Sequence, residues 1–319
     1  MFTKPADRRA SRPARRRALP LVPLTAVALA GTLGLTACGS GSAGSGGRTK
    51  VVAGFYPMAW LAQKIGGDHV KVQTLTKPGA EPHDLELTPR QIADVGSADL
   101  TLYVKGVQPA VDDAVAKRAK GKSFDAVSAV KTLPARDLGE EGEGHHTDYD
   151  PHVWVDPGRM AAIAKGVGDH LAKADSRNAA DYRTRTDALV KQLNDLDTAF
   201  QTGLKTCKRK TVVTSHAAFG YLADHYGLTQ VPIAGVDPNA EPSPKRLAQL
   251  ADEVRKTGAT TVFTETLVSP KVAQTLAREA GVKTAVLDPV EGVKPGSSDD
   301  YLSVLRRDLD ILRPALECS

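Results

Sequence analysis

Three histidines and one aspartate in this chain stand where a metal ion could be held. They are His83 in Gly79-Ala80-Glu81-Pro82-His83, His152 in Asp150-Pro151-His152-Val153-Trp154-Val155-Asp156-Pro157, His216 in Ser215-His216, and Asp288 in Leu287-Asp288-Pro289. Three imidazoles and a carboxylate make a complete tetrahedral set for a borderline cation such as zinc, with nitrogens at about 2.0–2.1 Å. Manganese prefers more oxygen ligands and a higher coordination number. Four protein ligands leave no open position for water, which argues against hydrolysis and for capture and release. A lone histidine is more often structural, so the chemistry depends on the chain bringing these four side chains together.

The elements that must do so alternate between strand and helix. Val51 to Phe55 reads as a buried strand, Met58 to Ile65 as a helix ended by Gly66-Gly67, and Val70 to Leu75 as a strand that runs into the His83 loop. A helix over Pro89 to Ala98 with Thr88 as its cap, a strand over Leu100 to Val104, a helix over Pro109 to Ala119 and a short strand over Ser123 to Ala126 complete the first half. Asp156 before Pro157 is a helix-start signal that fixes the direction of the His152 segment. In the second half, strands at Thr211 to Thr214, Thr229 to Ala234, Thr260 to Phe263 and Lys283 to Leu287 alternate with helices. Those helices are expected at Ala217 to Tyr226, Pro244 to Thr257 (started at Ser243), Pro270 to Ala280 (capped by Ser269) and Ser298 to Leu312. His216 and Asp288 directly follow two of these strands.

Between the halves lie helices at Pro157 to Ala174 and Arg177 to Lys205. In the second, Tyr182, Leu189, Leu193, Leu196, Phe200 and Leu204 recur at helical spacing as one apolar stripe, over a length of roughly 43 Å. The fold class is therefore α/β: two lobes with parallel sheets flanked by helices, joined by one long rigid helix. The expected boundaries are an N-terminal α/β lobe over residues 49–156, a helical connector over 157–206 and a C-terminal α/β lobe over 207–319. Ligands of such sheets sit beyond the carboxyl ends of the strands, here in the cleft between the lobes.

The chain has 319 residues and a formal charge of +5, but residues 1–37 hold seven basic residues and one acid. The remaining 35 basic and 36 acidic residues balance, so the composition gives no support for a nucleic-acid partner. Residues 1–37 read as a signal peptide: a basic region, an uncharged run from Leu19 to Ala37, then Leu35-Thr36-Ala37-Cys38. That ending resembles a bacterial lipobox, which implies cleavage before Cys38 and lipid on its thiol. An ordinary signal peptide or a single membrane anchor are the alternatives, the anchor disfavoured by Pro20 and Pro23. Residues 38–48 form the lipidated cysteine and a Gly/Ser tether, whose nine-residue stretch from Gly39 to Gly47 reaches roughly 15–18 Å. Export to an oxidising compartment makes Cys207 and Cys318 a candidate disulfide, two free thiols being the alternative.

The motifs around the four candidate ligands, together with Ala217-Ala218-Phe219-Gly220-Tyr221, Tyr226-Gly227-Leu228, Glu241-Pro242-Ser243-Pro244 and Phe263-Thr264-Glu265, resemble those of the zinc- and manganese-binding lipoproteins of bacterial ABC importers, the ZnuA/TroA-type solute-binding proteins. The motifs occur in the family's order and cover nearly everything after the tether. The resemblance implies ligand roles at His83, His152, His216 and Asp288, with Zn2+ as the transported ion. Mn2+ is the less favoured cargo, because relatives thought to favour manganese often carry a glutamate where this chain has His216. It also implies a monomer outside the cell membrane or in the periplasm, held by its lipid, that hands its ion to a permease and through it serves an ATPase.

Glu265, at the end of a strand, is the candidate to orient a histidine from behind. Trp154 and Phe219 are expected to wall the site. The histidine-rich loop common in zinc members is reduced to His145-His146 within an acidic stretch, read either as an auxiliary metal-collecting segment or as a plain solvated loop. Three rival functions remain. A zinc hydrolase could use Glu265 as its base, but no H-E-x-x-H motif is present. A siderophore- or haem-binding lipoprotein shares the two-lobed plan, and an adhesive surface protein is required by nothing in the residues.

Overall fold

The computed structural model describes residues 47–135, 147–239 and 242–319. Cys38, most of the tether, His145-His146 and Glu241 lie outside the described residues. Gly47 to Ser319 form one compact unit.

Its first half holds the strands β1 (Thr49–Ala53), β2 (Val70–Thr74), β3 (Leu100–Tyr103) and β4 (Ser123–Asp125), with the helices α1 (Tyr56–Gly66), α2 (Pro89–Ser97) and α3 (Pro109–Arg118). Two helices follow, α4 (Pro157–Ala174) and α5 (Ala179–Leu204). The second half holds β5 (Thr211–Thr214), β6 (Thr229–Pro232), β7 (Thr261–Thr264) and β8 (Lys283–Val286), with α6 (Gly220–His225), α7 (Pro244–Thr257), α8 (Lys271–Ala280) and α9 (Tyr301–Ala315). Among the described residues these strands pair in parallel, in two four-stranded sheets with the orders β2-β1-β3-β4 and β6-β5-β7-β8. Each sheet thus places its carboxyl edge, and the loops that leave it, on one side.

The central strands are short apolar runs buried on both faces, Val51 and Val52 in β1, Val212 and Val213 in β5, Val262 and Phe263 in β7, as helix-covered parallel sheets require. The outer face of the first sheet packs Val52, Leu75, Val95, Val111 and Val115 into its own core. The outer face of the second does the same with Val213, Leu250, Val254, Val262 and Leu276. Both inner faces belong to a single third core that runs from Val51 through Trp154 and the α5 stripe to Phe263, Tyr301 and Leu316. The 26-residue α5, about 39 Å long, is therefore not a bare rod between lobes. Its whole apolar stripe, from Tyr182 to Leu204, is buried in the core that the lobes share.

Helix starts follow their side chains. Thr88 accepts from Gln91 N in a capping box, Asp156 accepts from Gly158 N and Arg159 N, Ser243 accepts from Arg246 N, and Asp300 forms a capping box with Ser303. Ser269 does not cap: α8 begins after Pro270 with no side-chain cap. Helix α5 begins two residues later than expected, because Ser176–Asn178 form a 3-10 turn around the buried Asp175, which accepts from Thr49, Asn178 and Tyr182. Among the described residues no helix is long and apolar enough to cross a membrane.

Cys207 and Cys318 form a disulfide that closes a chain separation of 111 residues. The same end is tied by Arg209 Nε to Glu317 at 2.9 Å and by Arg209 N to the Leu316 carbonyl at 3.0 Å. Chain-entropy reasoning assigns a loop of this length up to about 4–5 kcal/mol of stabilisation. The double variant Cys207→Ala, Cys318→Ala should lose stability towards that limit in urea unfolding, with no change in fold by circular dichroism. Unchanged stability would show that the neighbouring polar ties hold the terminus alone.

Candidate functional site

His83 sits on the loop after β2. Glu81 folds that loop by accepting from His83 N at 2.9 and 3.0 Å, and Gln108 Nε2 pins it by donating to Pro82 O at 3.2 Å. Gly79 makes the turn with φ +78° and packs where a Cβ would lie 3.0 Å from Pro295, which only glycine accommodates. His152 lies one turn before α4, and Asp150 holds it twice. Asp150 Oδ1 accepts from His152 N at 2.9 Å and meets its Nδ1 at 2.7 Å. Tyr221 in turn donates to the Asp150 carbonyl at 2.5 Å.

His216 follows β5. A helix from Ala217 is expected there, but the chain turns instead and α6 starts only at Gly220. The His216 carbonyl is taken by Thr214 Oγ1 at 2.7 Å and Gln230 Nε2 at 2.9 Å, while Ala217 N donates to Gly235 O at 2.9 Å. These bonds replace the first helical turn and aim the ring into the cleft. Glu265 Oε1 accepts from His216 N at 3.2 Å and faces Nδ1 at 2.8 Å, which places it behind the ring.

A carboxylate at Nδ1 fixes the tautomer, so that Nε2 presents its lone pair forward. The three Nε2 atoms all face one oxygen. Glu291 Oε1 lies 3.3 Å from His216, 3.5 Å from His83 and 3.7 Å from His152. The four ligand atoms fall within 4.8 Å of one another, and each is buried without a hydrogen-bond partner. A tetrahedral ion with bonds of 2.0–2.1 Å needs ligand atoms about 3.3–3.4 Å apart. Three of the separations already stand close to that spacing. Trp154 walls one side, its ring 5.1 Å from that of His152, and both Trp154 and Phe219 are buried in the shared core.

Asp288, the carboxylate expected here, is not in the converging group. Its Oδ1 accepts from Val290 N at 2.8 Å and its Oδ2 from Thr266 Oγ1 at 2.8 Å. Val290 then takes φ +58°, the chain reverses, and Glu291 is the acid delivered to the rings. Sequence reasoning missed Glu291 because it sits beyond the strand end in an irregular turn. The available signal is an acid followed by glycine, three residues after the Asp288 that follows the last strand. Asp150 was also missed as the partner of His152, although its spacing of two residues allows that contact.

Burial disfavours charge on all three rings, and the neighbouring acids decide the outcome. His216 stands well above its ordinary pKa, because Glu265 and Glu291 overcome burial. His83 is raised against burial by Glu291 and Glu81. His152 is lowered, burial there outweighing Asp150. Burial raises Glu291, but the His216 and His83 contacts win and hold it low. In the metal-free protein, His216 therefore contributes stability that is full below its ordinary value near 6.5 and lost as pH rises through its raised folded value. His152 works in the opposite sense.

The profile of the family described as zinc-uptake complex component A, periplasmic, matches residues 51–315. The zinc-binding protein AdcA of Streptococcus pyogenes is 36% identical over 287 residues, covering 84% of this chain and 56% of its own length. The chain thus spans little more than half of that relative. The high-affinity zinc uptake system protein ZnuA of Bacillus subtilis is 36% identical over 302 residues, covering 88% of this chain and 93% of that protein. Among solved structures, the Zn(II)-bound ZnuA-like domain of Streptococcus pneumoniae AdcA superposes with a TM-score of 0.72 at 33% identity, covering 85% of this chain and all of that one.

Glu265→Gln keeps an acceptor for the His216 Nδ1–H but removes a charge that opposes burial. The His216 pKa should fall in the metal-free protein, read by NMR titration of the ring. An unmoved value would assign the whole effect to Glu291.

Proposed function

Because the chain belongs to the zinc-uptake complex component A family, whose profile spans residues 51–315, we propose that it captures Zn2+ outside the cytoplasm and delivers it to an ABC importer. The observation that carries this reading is the convergence of four buried, unpartnered polar atoms within 4.8 Å of one another, with the three separations that include Glu291 at 3.3–3.7 Å. His83, His152, His216 and Glu291 hold the ion, with Glu291 taking the place that sequence reasoning gave to Asp288. Asp150 and Glu265 orient two of the rings. With all four positions supplied by the protein, the site binds without activating water, so its work is transport and not catalysis.

The names of the relatives support zinc as cargo, and the name zinc-binding lipoprotein, carried by the Streptococcus pneumoniae AdcA, supports the lipid anchor read at Cys38. On this reading the chain is exported, tethered by Cys38 to the outer face of the membrane, and acts as a monomer on a permease coupled to an ATPase. The lobe boundaries near residues 157 and 206 then mark the connector that keeps the two halves in register while ions come and go.

Calorimetry on the mature chain tests the reading. Zn2+ should bind at a one-to-one ratio near neutral pH. His216→Ala should weaken binding by more than the 10–100-fold typical of losing an outer-shell partner. Each proton displaced costs about tenfold in apparent affinity per pH unit. Because His83 and His216 are raised, weakening should begin above pH 6.5 and continue as pH falls. Binding unchanged at pH 5, or by His216→Ala, would sink the assignment.

A further inference from the structure

We propose that Asp288 is a positioning residue that clamps a strained turn behind Glu291, and so sets how long the bound ion stays. This rests on the ion-holding reading above. The turn is strained at Val290, a β-branched residue at φ +58°, in the left-handed region that such side chains rarely adopt. Strain of this kind persists only where the surroundings over-determine it.

Here they do. Asp288 Oδ1 accepts from Val290 N itself at 2.8 Å, and Asp288 Oδ2 accepts from Thr266 Oγ1 at 2.8 Å. Asp288 N donates to Asp308 Oδ1 on α9 at 3.1 Å. The next carbonyl, of Pro289, accepts from Trp154 Nε1 at 2.8 Å. Trp154 lies two residues after His152, so the segment that carries one ligand also grips the turn that carries another. The Val290 side chain is fully buried in the shared core and cannot swing out to relieve its backbone.

At the far end of the turn the situation is reversed. Glu291 Oε1 has no hydrogen-bond partner and faces only the three imidazole nitrogens. Glu291 is therefore ordered from its backbone side by the clamp and, on the proposed function, from its carboxylate side by the ion that the three rings share with it. When the ion leaves, the second hold weakens while the strain remains, which favours withdrawal of Glu291. The clamp opposes that withdrawal, and Asp288 supplies two of its bonds.

Zinc dissociation into excess chelator tests this, with association measured separately. Asp288→Ala leaves Val290 N and Thr266 Oγ1 without their acceptor and should speed release about tenfold or more. Asp288→Asn can still accept from Val290 N, and its amide can donate to Thr266 Oγ1, so it should recover most of that loss. Val290→Gly adopts the left-handed conformation without strain and should slow release. In the Val290→Gly background, Asp288→Ala should cost several-fold less than it does alone, a coupling that a double-mutant cycle reads directly. Equal release from Asp288→Asn and Asp288→Ala would overturn the proposal in favour of a charge or ligand role. Additive effects of Asp288→Ala and Val290→Gly, or unslowed release from Val290→Gly, would overturn it as well. Failure of the unaltered protein to bind Zn2+ would instead remove the proposed function. Metal-free melting temperatures separate any loss of fold from these changes.

Discussion

Four polar atoms that face one another inside a core, with no hydrogen bond among them, are the constraint on which the rest of this molecule is built. A buried polar atom left unsatisfied costs about 1–3 kcal/mol, and a buried charge costs more. The metal-free protein concentrates that cost at Nε2 of His83, His152 and His216 and at Oε1 of Glu291. A polypeptide free to relax would turn these side chains to water or to backbone partners. They stay because each is fixed from behind, by Asp150, by Glu265, by the Glu81 turn and by the Asp288 turn. On the proposed function a divalent cation would satisfy all four at once.

The parallel topology explains how such different segments meet. The chain leaves β2, β5 and β8 at their carboxyl ends, and the following loops bring His83, His216 and Glu291 to one cleft. His152 arrives from the other direction, at the start of α4, whose N-terminus is set by Asp156. The shared core around α5 ties both sheets to the same stripe of side chains, so wide hinge motion would have to tear packed surface apart. Movement is left to the loops and turns that carry the ligands. Asp84 and Asn239, whose side chains meet at 2.6 Å from opposite halves of the chain, show that even these loops touch across the cleft.

Sequence pattern captured the parts governed by local rules. Strand and helix alternation, the α5 stripe, the caps at Thr88, Asp156 and Ser243, and the cysteine pair were all legible because periodicity, capping chemistry and compartment determine them. The misses share a cause. Asp288 is the carboxylate expected because it directly follows a strand, yet its two oxygens accept from Val290 N and Thr266 Oγ1, and Glu291 is the acid that faces the three rings. Only the left-handed Val290 reveals this, and no propensity places a buried valine at positive φ. The helix expected from Ala217 failed for a related reason, since Thr214, Gln230 and Gly235 compete for the backbone groups of a first turn. Tertiary hydrogen bonds overrode local preference at the places where a ligand had to be aimed.

Aiming and basicity cannot be separated in this design. A carboxylate behind an imidazole fixes the tautomer and strengthens the ring as a donor to metal. The same negative charge favours the protonated ring, and His216, which faces both Glu265 and Glu291, is raised the furthest against complete burial. His152 has only Asp150 behind it and remains below its ordinary value. The rings therefore differ in how strongly protons compete for them, although they are presented alike. Burial works against charge at His83, His216 and Glu291 alike, but the acids raise the two rings and the two rings hold Glu291 low, so each side of the group biases the other towards its charged form. Neutral acceptors in place of Asp150 and Glu265 would still hold the Nδ1–H tautomer, but they would give the rings no charge to set against burial.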